Sequence, residues 1–124
     1  MGCLFCEIPV SEIIIDHELC FARWDKFPVS PGHLLVIPRR HFESLFDATR
    51  VEFLAFRDVL LQAREIIGQE FQPDGYNIGV NDGSVAGQSV FHLHIHVIPR
   101  YKGDMENPLG GVRGVVPFKQ KYRK

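Results

Sequence analysis

The stretch that decides the fold is Gly87 to Arg100, GQSVFHLHIHVIPR. It places His92, His94 and His96, half of the chain's six histidines, on every second residue. Leu93, Ile95 and Val97 alternate with them. In a β-strand, alternate side chains point to the same face and lie about 6.5–7 Å apart along the strand. A strand over residues 89–99 therefore carries three imidazoles on one face, and Phe91, Leu93, Ile95 and Val97 on a core-facing one. At that spacing His92 and His96 touch different parts of one extended ligand rather than one small atom.

Three explanations compete for such a face. A solvent-facing strand rich in histidine is the plainest, but three rings in strict alternation need partners that a purely structural strand does not supply. A zinc site is the second, since imidazole is a common zinc ligand. A catalytic zinc usually adds a further carboxylate or His, however, and no acidic residue lies between Gly83 and Arg100. The third is nucleophilic catalysis. Neutral imidazole, with an ordinary pKa of about 6.5, is mostly unprotonated at pH 7 and can attack phosphorus. A neighbouring His on the same face can hold or protonate the leaving oxygen. The preceding loop, Asn81 to Ser89 (NDGSVAGQS), favours this third explanation: Gly83 and Gly87 permit close backbone approach, and Gln88 and Ser89 offer donors to a phosphoryl group.

Outward from this stretch, the chain reads as a single domain over residues 1–124. Residues 19–24 and 33–38 read as strands separated by DKFPVSPG, whose two prolines and one glycine make a loop. Thr49 and Glu52 have capping-box spacing, and Phe53, Phe56, Leu60, Ala63 and Ile67 then recur at helical spacing, with Gly68 as the stop. Residues 75–81 form a further strand. Strands before and after one long helix predict an α+β fold with a mainly antiparallel sheet.

Hydrophobic content of 45% and charged content of 23% are ordinary for a soluble globular chain. A net charge of −1 gives no general attraction to nucleic acid or membrane. After Glu106 the chain carries only basic charge, on Arg113, Lys119, Lys121, Arg123 and Lys124, which reads as a solvated tail. No signal or membrane span is visible, and MGCLFC fails the myristoylation pattern because Cys6 stands where Ser or Thr is required. Three cysteines, an odd number, point to a reducing compartment, and a cytoplasmic location is expected. Cys3 and Cys6 have C-x-x-C spacing, which serves zinc or redox chemistry; no thioredoxin-like β-α-β pattern surrounds them. Cys20 reads as core and His17 as surface.

GQSVFHLHIHVIPR resembles the signature of the histidine-triad (HIT) superfamily, PGHLLVIPRRH (Pro31 to His41) resembles its second block, and CLFCEI resembles the start of many bacterial members. The resemblance implies a HIT-like α+β fold with one long helix and a short one, a homodimer, and hydrolysis or transfer at the α-phosphorus of a nucleotide. It implies that His94 is the nucleophile, that His96 contacts the phosphate and assists proton movement, and that His33 backs the triad begun by His92. Gln88 and Ser89 would address the phosphate or bridging oxygen, Asn81 and Gly87 would line the phosphate pocket, and Asp25 would grip the ribose hydroxyls. It further implies a structural zinc on Cys3, Cys6, His41 and His92, with no cofactor required for catalysis. The C-terminal end, with RYKGD before it, is more similar to bacterial members grouped with dinucleoside-polyphosphate hydrolases than to the phosphoramidate branch. A nucleotide-binding or interaction protein of the same fold, with little turnover, is the alternative. The expected partners are a nucleotide and a second copy of the chain, with no nucleic acid polymer and no membrane.

Overall fold

A computed structural model describes residues 2–122, so Met1 of the N-terminal motif and Arg123 and Lys124 of the basic tail lie outside the described residues. The sheet has five strands: β1 (Ile15–Asp16), β2 (Cys20–Trp24), β3 (Leu34–Pro38), β4 (Gly75–Gly79) and β5 (Ile95–Arg100). Their order is β1-β2-β3-β5-β4, and every neighbouring pair is antiparallel. One α-helix, α1 (Arg50–Phe71), crosses between β3 and β4. The fold is therefore α+β. One long helix accompanied by short helical segments agrees with the expectation; among the described residues the short segments are six 3₁₀ helices, and α1 is the one α-helix. None of these helices is long and apolar enough to cross a membrane.

Local chemistry accounts for the helix and its ends. The Thr49 hydroxyl accepts from the Glu52 amide at 3.2 Å, and the Glu52 carboxylate accepts from the Thr49 amide at 2.8 Å. The reciprocal pair satisfies two of the amides left free at the helix start. Gly68 does not stop the helix. The chain continues to Phe71 and turns at Gln72, which adopts the left-handed conformation (φ 54°) and sends its amide back to the Gly68 and Ile67 carbonyls. Phe71 supplies the reason: its ring packs edge-on against Trp24 at 5.7 Å, so one more turn of helix buries further apolar surface.

The two faces of the sheet have different jobs. Ala22, Leu34, Val36, Ile95 and Val97 point to α1 and meet Phe56, Val59, Ala63 and Ile67. Leu93 joins them. The opposite face carries Phe21, Leu35 and Ile37, over which the turn Leu4–Cys6 lays Phe5. The ladder sets Leu35 opposite His96, so the histidines lie on this second face. Phe91 departs from the expected alternation and is exposed. The physical reason is that β5 begins only at Ile95; the chain bends at Phe91 and His92, residues 91–94 lie outside the ladder, and Phe91 has no sheet neighbour to cover it.

Candidate active site and metal cluster

His33 enters the site from the end of the β2–β3 loop, just before β3. Gly32 precedes it with φ +87°, and a β-carbon there would come within 2.9 Å of the Phe71 ring. Glycine is therefore required to bring the chain past the helix and aim His33 at β5. The loop is closed by the Asp25 amide donating to the His33 carbonyl at 2.9 Å.

Hydrogen-bond partners fix which nitrogen of each ring carries the proton. His33 Nδ1 accepts the Val29 amide at 3.0 Å, so its Nε2 bears the hydrogen. That Nε2 lies 3.0 Å from His96 Nδ1 and 3.3 Å from an Asp25 carboxylate oxygen. Two hydrogens cannot face each other across 3.0 Å, so His96 Nδ1 is the acceptor and His96 Nε2 carries the N–H. His94 is set the opposite way. Its Nδ1 lies 2.9 Å from the carbonyl of His92, which can only accept. Nδ1 is protonated, and Nε2 holds the lone pair. The only buried side-chain N or O atom without a partner among the described residues is Arg23 Nε. The unbonded Nε2 atoms of His94 and His96 therefore reach solvent, although His94 as a whole is only 9% exposed.

Burial, reinforced by His94 and His33, pushes His96 down to about 4, against the opposing pull of Asp25. His33 is also held below the ordinary imidazole range, by burial first, with Asp25 opposing. Both rings are neutral at pH 7, as a donor-acceptor chain requires.

In front of His96 lies a cavity of about 560 Å³. His33, His96, Asn77 and Asn81 supply its polar lining, and Val29, Ile98, Val112 and Val115 are among its apolar walls. Gly87 sits beside Asn81 with φ +99°. Ser89 is exposed, and its hydroxyl has no protein partner among the described residues. Gln88 is placed differently from the expectation. Its amide is buried, accepting from the Gly83 amide at 2.8 Å and donating to the carbonyls of Glu43 at 3.0 Å and Val90 at 3.3 Å. All its polar capacity but one lone pair goes into bracing the loop, so it shapes the site rather than facing the cavity. Asp25 is also partly committed: one oxygen accepts the Phe27 amide at 2.9 Å, and the other faces His33 and His96.

His92 faces a second cluster. Its Nε2 donates to the Pro38 carbonyl at 2.7 Å, leaving a lone pair on Nδ1. That Nδ1 lies 3.3 Å from Cys3 Sγ, 3.5 Å from Cys6 Sγ and 3.1 Å from His41 Nδ1, and Cys6 Sγ lies 3.5 Å from His41 Nδ1. One lone pair cannot bond to all three neighbours. A tetrahedral zinc with bonds of about 2.3 Å to sulfur and 2.05 Å to nitrogen has N···S edges of about 3.5 Å and N···N edges of about 3.3 Å. The donor set and its spacing fit such an ion, and the Pro38 carbonyl orients His92 as an outer-shell partner does. Cys3, Cys6, His41 and His92 thus form a cluster suited to a structural metal. Cys20 is buried in the core, as expected. His17 is half-buried rather than freely exposed, with Nδ1 accepting the Leu19 amide.

What residue reasoning did not single out is mostly backbone: the Val29 amide and the carbonyls of His92 and Pro38. Backbone groups leave no mark in composition. Phe5 was also missed, although its position inside the C-x-x-C pair could have drawn attention to it.

Comparison with known proteins agrees with this geometry. The HIT domain family model matches residues 7–103. The chain is 44% identical over 100 residues to a bis(5'-adenosyl)-triphosphatase of Dictyostelium discoideum, covering 78% of this chain and 65% of that protein. It is similar to a HIT family protein from Bacillus anthracis, with TM-score 0.76 and 36% identity over 82% of this chain and 75% of that one. It is also similar to a zinc-bound histidine triad family protein from Mycobacterium smegmatis, with TM-score 0.75 and 33% identity over 86% of this chain and 80% of that one. With its three alternating imidazoles leading into an inner strand of an antiparallel sheet, the chain belongs to the HIT family.

Proposed function

We propose that this chain is a single histidine-triad domain over residues 1–124 that hydrolyses or transfers nucleotides at the α-phosphorus, through a covalent nucleotidyl-His94 intermediate. The observation that carries this reading is the pairing of opposite tautomers. His94 offers a lone pair at Nε2, and His96, 5.1 Å away between ring centroids, offers an N–H at Nε2. A nucleophile and a proton donor side by side are what displacement at phosphorus needs.

In the first step His94 Nε2 donates its electron pair to phosphorus, and the bond from phosphorus to the leaving group breaks. His96 Nε2–H donates a hydrogen bond to the departing oxygen, which leaves with the bonding electron pair as the anion of the phosphate chain, while His33 Nε2–H stays on His96 Nδ1 and holds that ring in place. Positive charge then develops on the His94 ring, where Nδ1–H points at the His92 carbonyl dipole. In the second step water attacks phosphorus, the N–P bond breaks, and the electron pair returns to His94. The water proton is released to solvent, and His96 Nε2–H keeps its hydrogen bond to the phosphate. Asn81, Gly87 and Ser89 bound the phosphate, Gln88 braces their loop, and Asp25 meets the ribose hydroxyls while it orients His33. A structural zinc on Cys3, Cys6, His41 and His92 would tie the N-terminal turn to the sheet without entering the reaction.

The likeness to a bis(5'-adenosyl)-triphosphatase supports a dinucleoside polyphosphate as substrate, ahead of a nucleoside phosphoramidate. The thiol-rich metal cluster supports a reducing, cytoplasmic setting. A homodimer is supported by the outer edge of β4, which no other strand covers among the described residues, and by an apolar groove of about 700 Å³ between β4 and α1. Phe53 and Ile78, both about half exposed, line that groove and offer a second copy apolar surface.

Three outcomes follow. Mass spectrometry of an acid-free quench of a diadenosine polyphosphate reaction should find one nucleoside-monophosphate adduct, on His94. His94→Ala should lower turnover by roughly 10³-fold or more. Tight mononucleotide binding with neither adduct nor turnover would instead favour a binding protein of this fold. The second concerns pH. His96 is held at about 4 when folded and returns to 6.5 when unfolded, so between these values only the unfolded chain takes the proton. Its contribution is fully present above pH 6.5 and is lost as pH falls through 4; His33 acts in the same direction. The melting temperature should fall across this window, and His96→Gln should flatten the fall; an equal slope in both proteins would count against a depressed His96. Third, analytical ultracentrifugation should give a dimer, and Ile78→Lys should shift it toward monomer. A wild-type monomer at micromolar concentration would remove the dimer from the account.

A further inference from the structure

The metal cluster and the triad share a residue that belongs to neither list. Phe5 sits inside the C-x-x-C pair, in the 3₁₀ turn Leu4–Cys6. Its side chain turns inward and is only 5% exposed. Its ring stands nearly perpendicular to His94, with centroids 4.9 Å apart, and to His92 at 6.2 Å. His94 also meets His96 at 5.1 Å, and His96 meets His33 at 5.2 Å. Phe5, His94, His96 and His33 form one row of rings.

The two ends of the row are held differently. His33 is pinned by the Val29 amide on one nitrogen and by His96 and Asp25 on the other. Among the described residues, His94 has a single hydrogen bond, to the His92 carbonyl. One such bond sets the tautomer but acts as a pivot, about which the ring can still tilt. The neighbour that blocks the tilt away from His96 is Phe5. Yet a three-residue 3₁₀ turn holds little stability of its own. Its backbone bonds, Cys6 amide to Cys3 carbonyl at 3.1 Å and Glu7 amide to Leu4 carbonyl at 3.4 Å, are few and partly exposed. Cys3 and Cys6, on either side of Phe5, instead reach across to His41 and His92.

We propose that Phe5 is a positioning residue for His94, and that a metal ion on Cys3, Cys6, His41 and His92 is what keeps Phe5 in place. The competing anchor is the apolar contact of Phe5 with Phe21, Leu35 and Ile37. The proposal assigns those contacts the burial of the ring, and the metal its registration against His94. It rests on the reading of His94 as nucleophile only for its catalytic consequence; the confinement of the ring can be measured without turnover.

The experiment compares carbethoxylation rates of individual histidines, read by peptide mass spectrometry after diethyl pyrocarbonate, in four reduced samples. These are zinc-loaded wild type, wild type stripped by a chelator, zinc-loaded Phe5→Ala and zinc-loaded Phe5→Leu. His17, remote from both clusters, is the internal reference. His94 should react about three- to tenfold faster in stripped wild type and in Phe5→Ala, the scale on which one perpendicular aromatic contact acts. Phe5→Leu, which keeps most of the volume, should restore much of the protection. His33 should stay unchanged in all four, which separates local release from unfolding. Where turnover is measurable, Phe5→Ala should lower kcat by a similar factor and leave KM nearly unaltered. His94 reactivity that does not respond to stripping overturns the metal's role, and reactivity that does not respond to Phe5→Ala overturns the positioning role. Absence of turnover with the expected reactivity pattern leaves this proposal standing and sinks the enzymatic reading instead.

Discussion

The hydrogen bond from His94 Nδ1 to the carbonyl of His92 is the contact on which the rest of the site depends. A carbonyl oxygen accepts and never donates, so the partner ring must carry a proton on Nδ1, and in the neutral ring the lone pair is then on Nε2. The chain supplies this constraint from only two residues away. Because it comes from the backbone, no substitution of a neighbouring side chain removes it without moving the main chain. In the proposed reaction the carbonyl would also face the charge that forms on the ring as Nε2 bonds to phosphorus, so that one interaction would serve both orientation and stabilisation.

The sheet converts that local bond into a site. Leu93, Ile95 and Val97 are driven into the core against α1, and their burial holds the alternate residues on the other face. A slip of one residue would send the imidazoles into the core and the aliphatic side chains to the cavity, so register is protected by apolar area. From the neighbouring strand, the chain Val29 amide, His33, His96 then sets a second tautomer of the opposite sense. His92, first of the three, is turned away from this pair by the Pro38 carbonyl and contributes to the metal cluster. Three similar residues thus take three different roles, each decided by the carbonyl, amide or ring nitrogen that one of their nitrogens meets.

Much of this was legible in the sequence. The alternation of His92, His94 and His96 with aliphatic residues fixed their shared face, and Thr49 with Glu52 marked the start of α1 through a reciprocal bond that the structure contains. Cys3, Cys6, His41 and His92 converge as the family resemblance implied, across 89 residues of chain between the first and last of them. The departures have physical causes of the kind that one-dimensional patterns miss. Gly68 reads as a helix stop, but the packing of Phe71 on Trp24 outweighs its propensity. Phe91 reads as core, but the ladder has not begun there. Gln88 reads as a donor to phosphate, and it is instead spent on loop amides and carbonyls that become its neighbours only after folding.

The account turns on which nitrogens carry protons, and a long-range proton–nitrogen correlation spectrum of the imidazole rings at neutral pH reads this directly. It should show His94 protonated at Nδ1 with a bare Nε2, and His96 protonated at Nε2 with a bare Nδ1. The same tautomer on both rings, or a bare Nδ1 on His94, would contradict it.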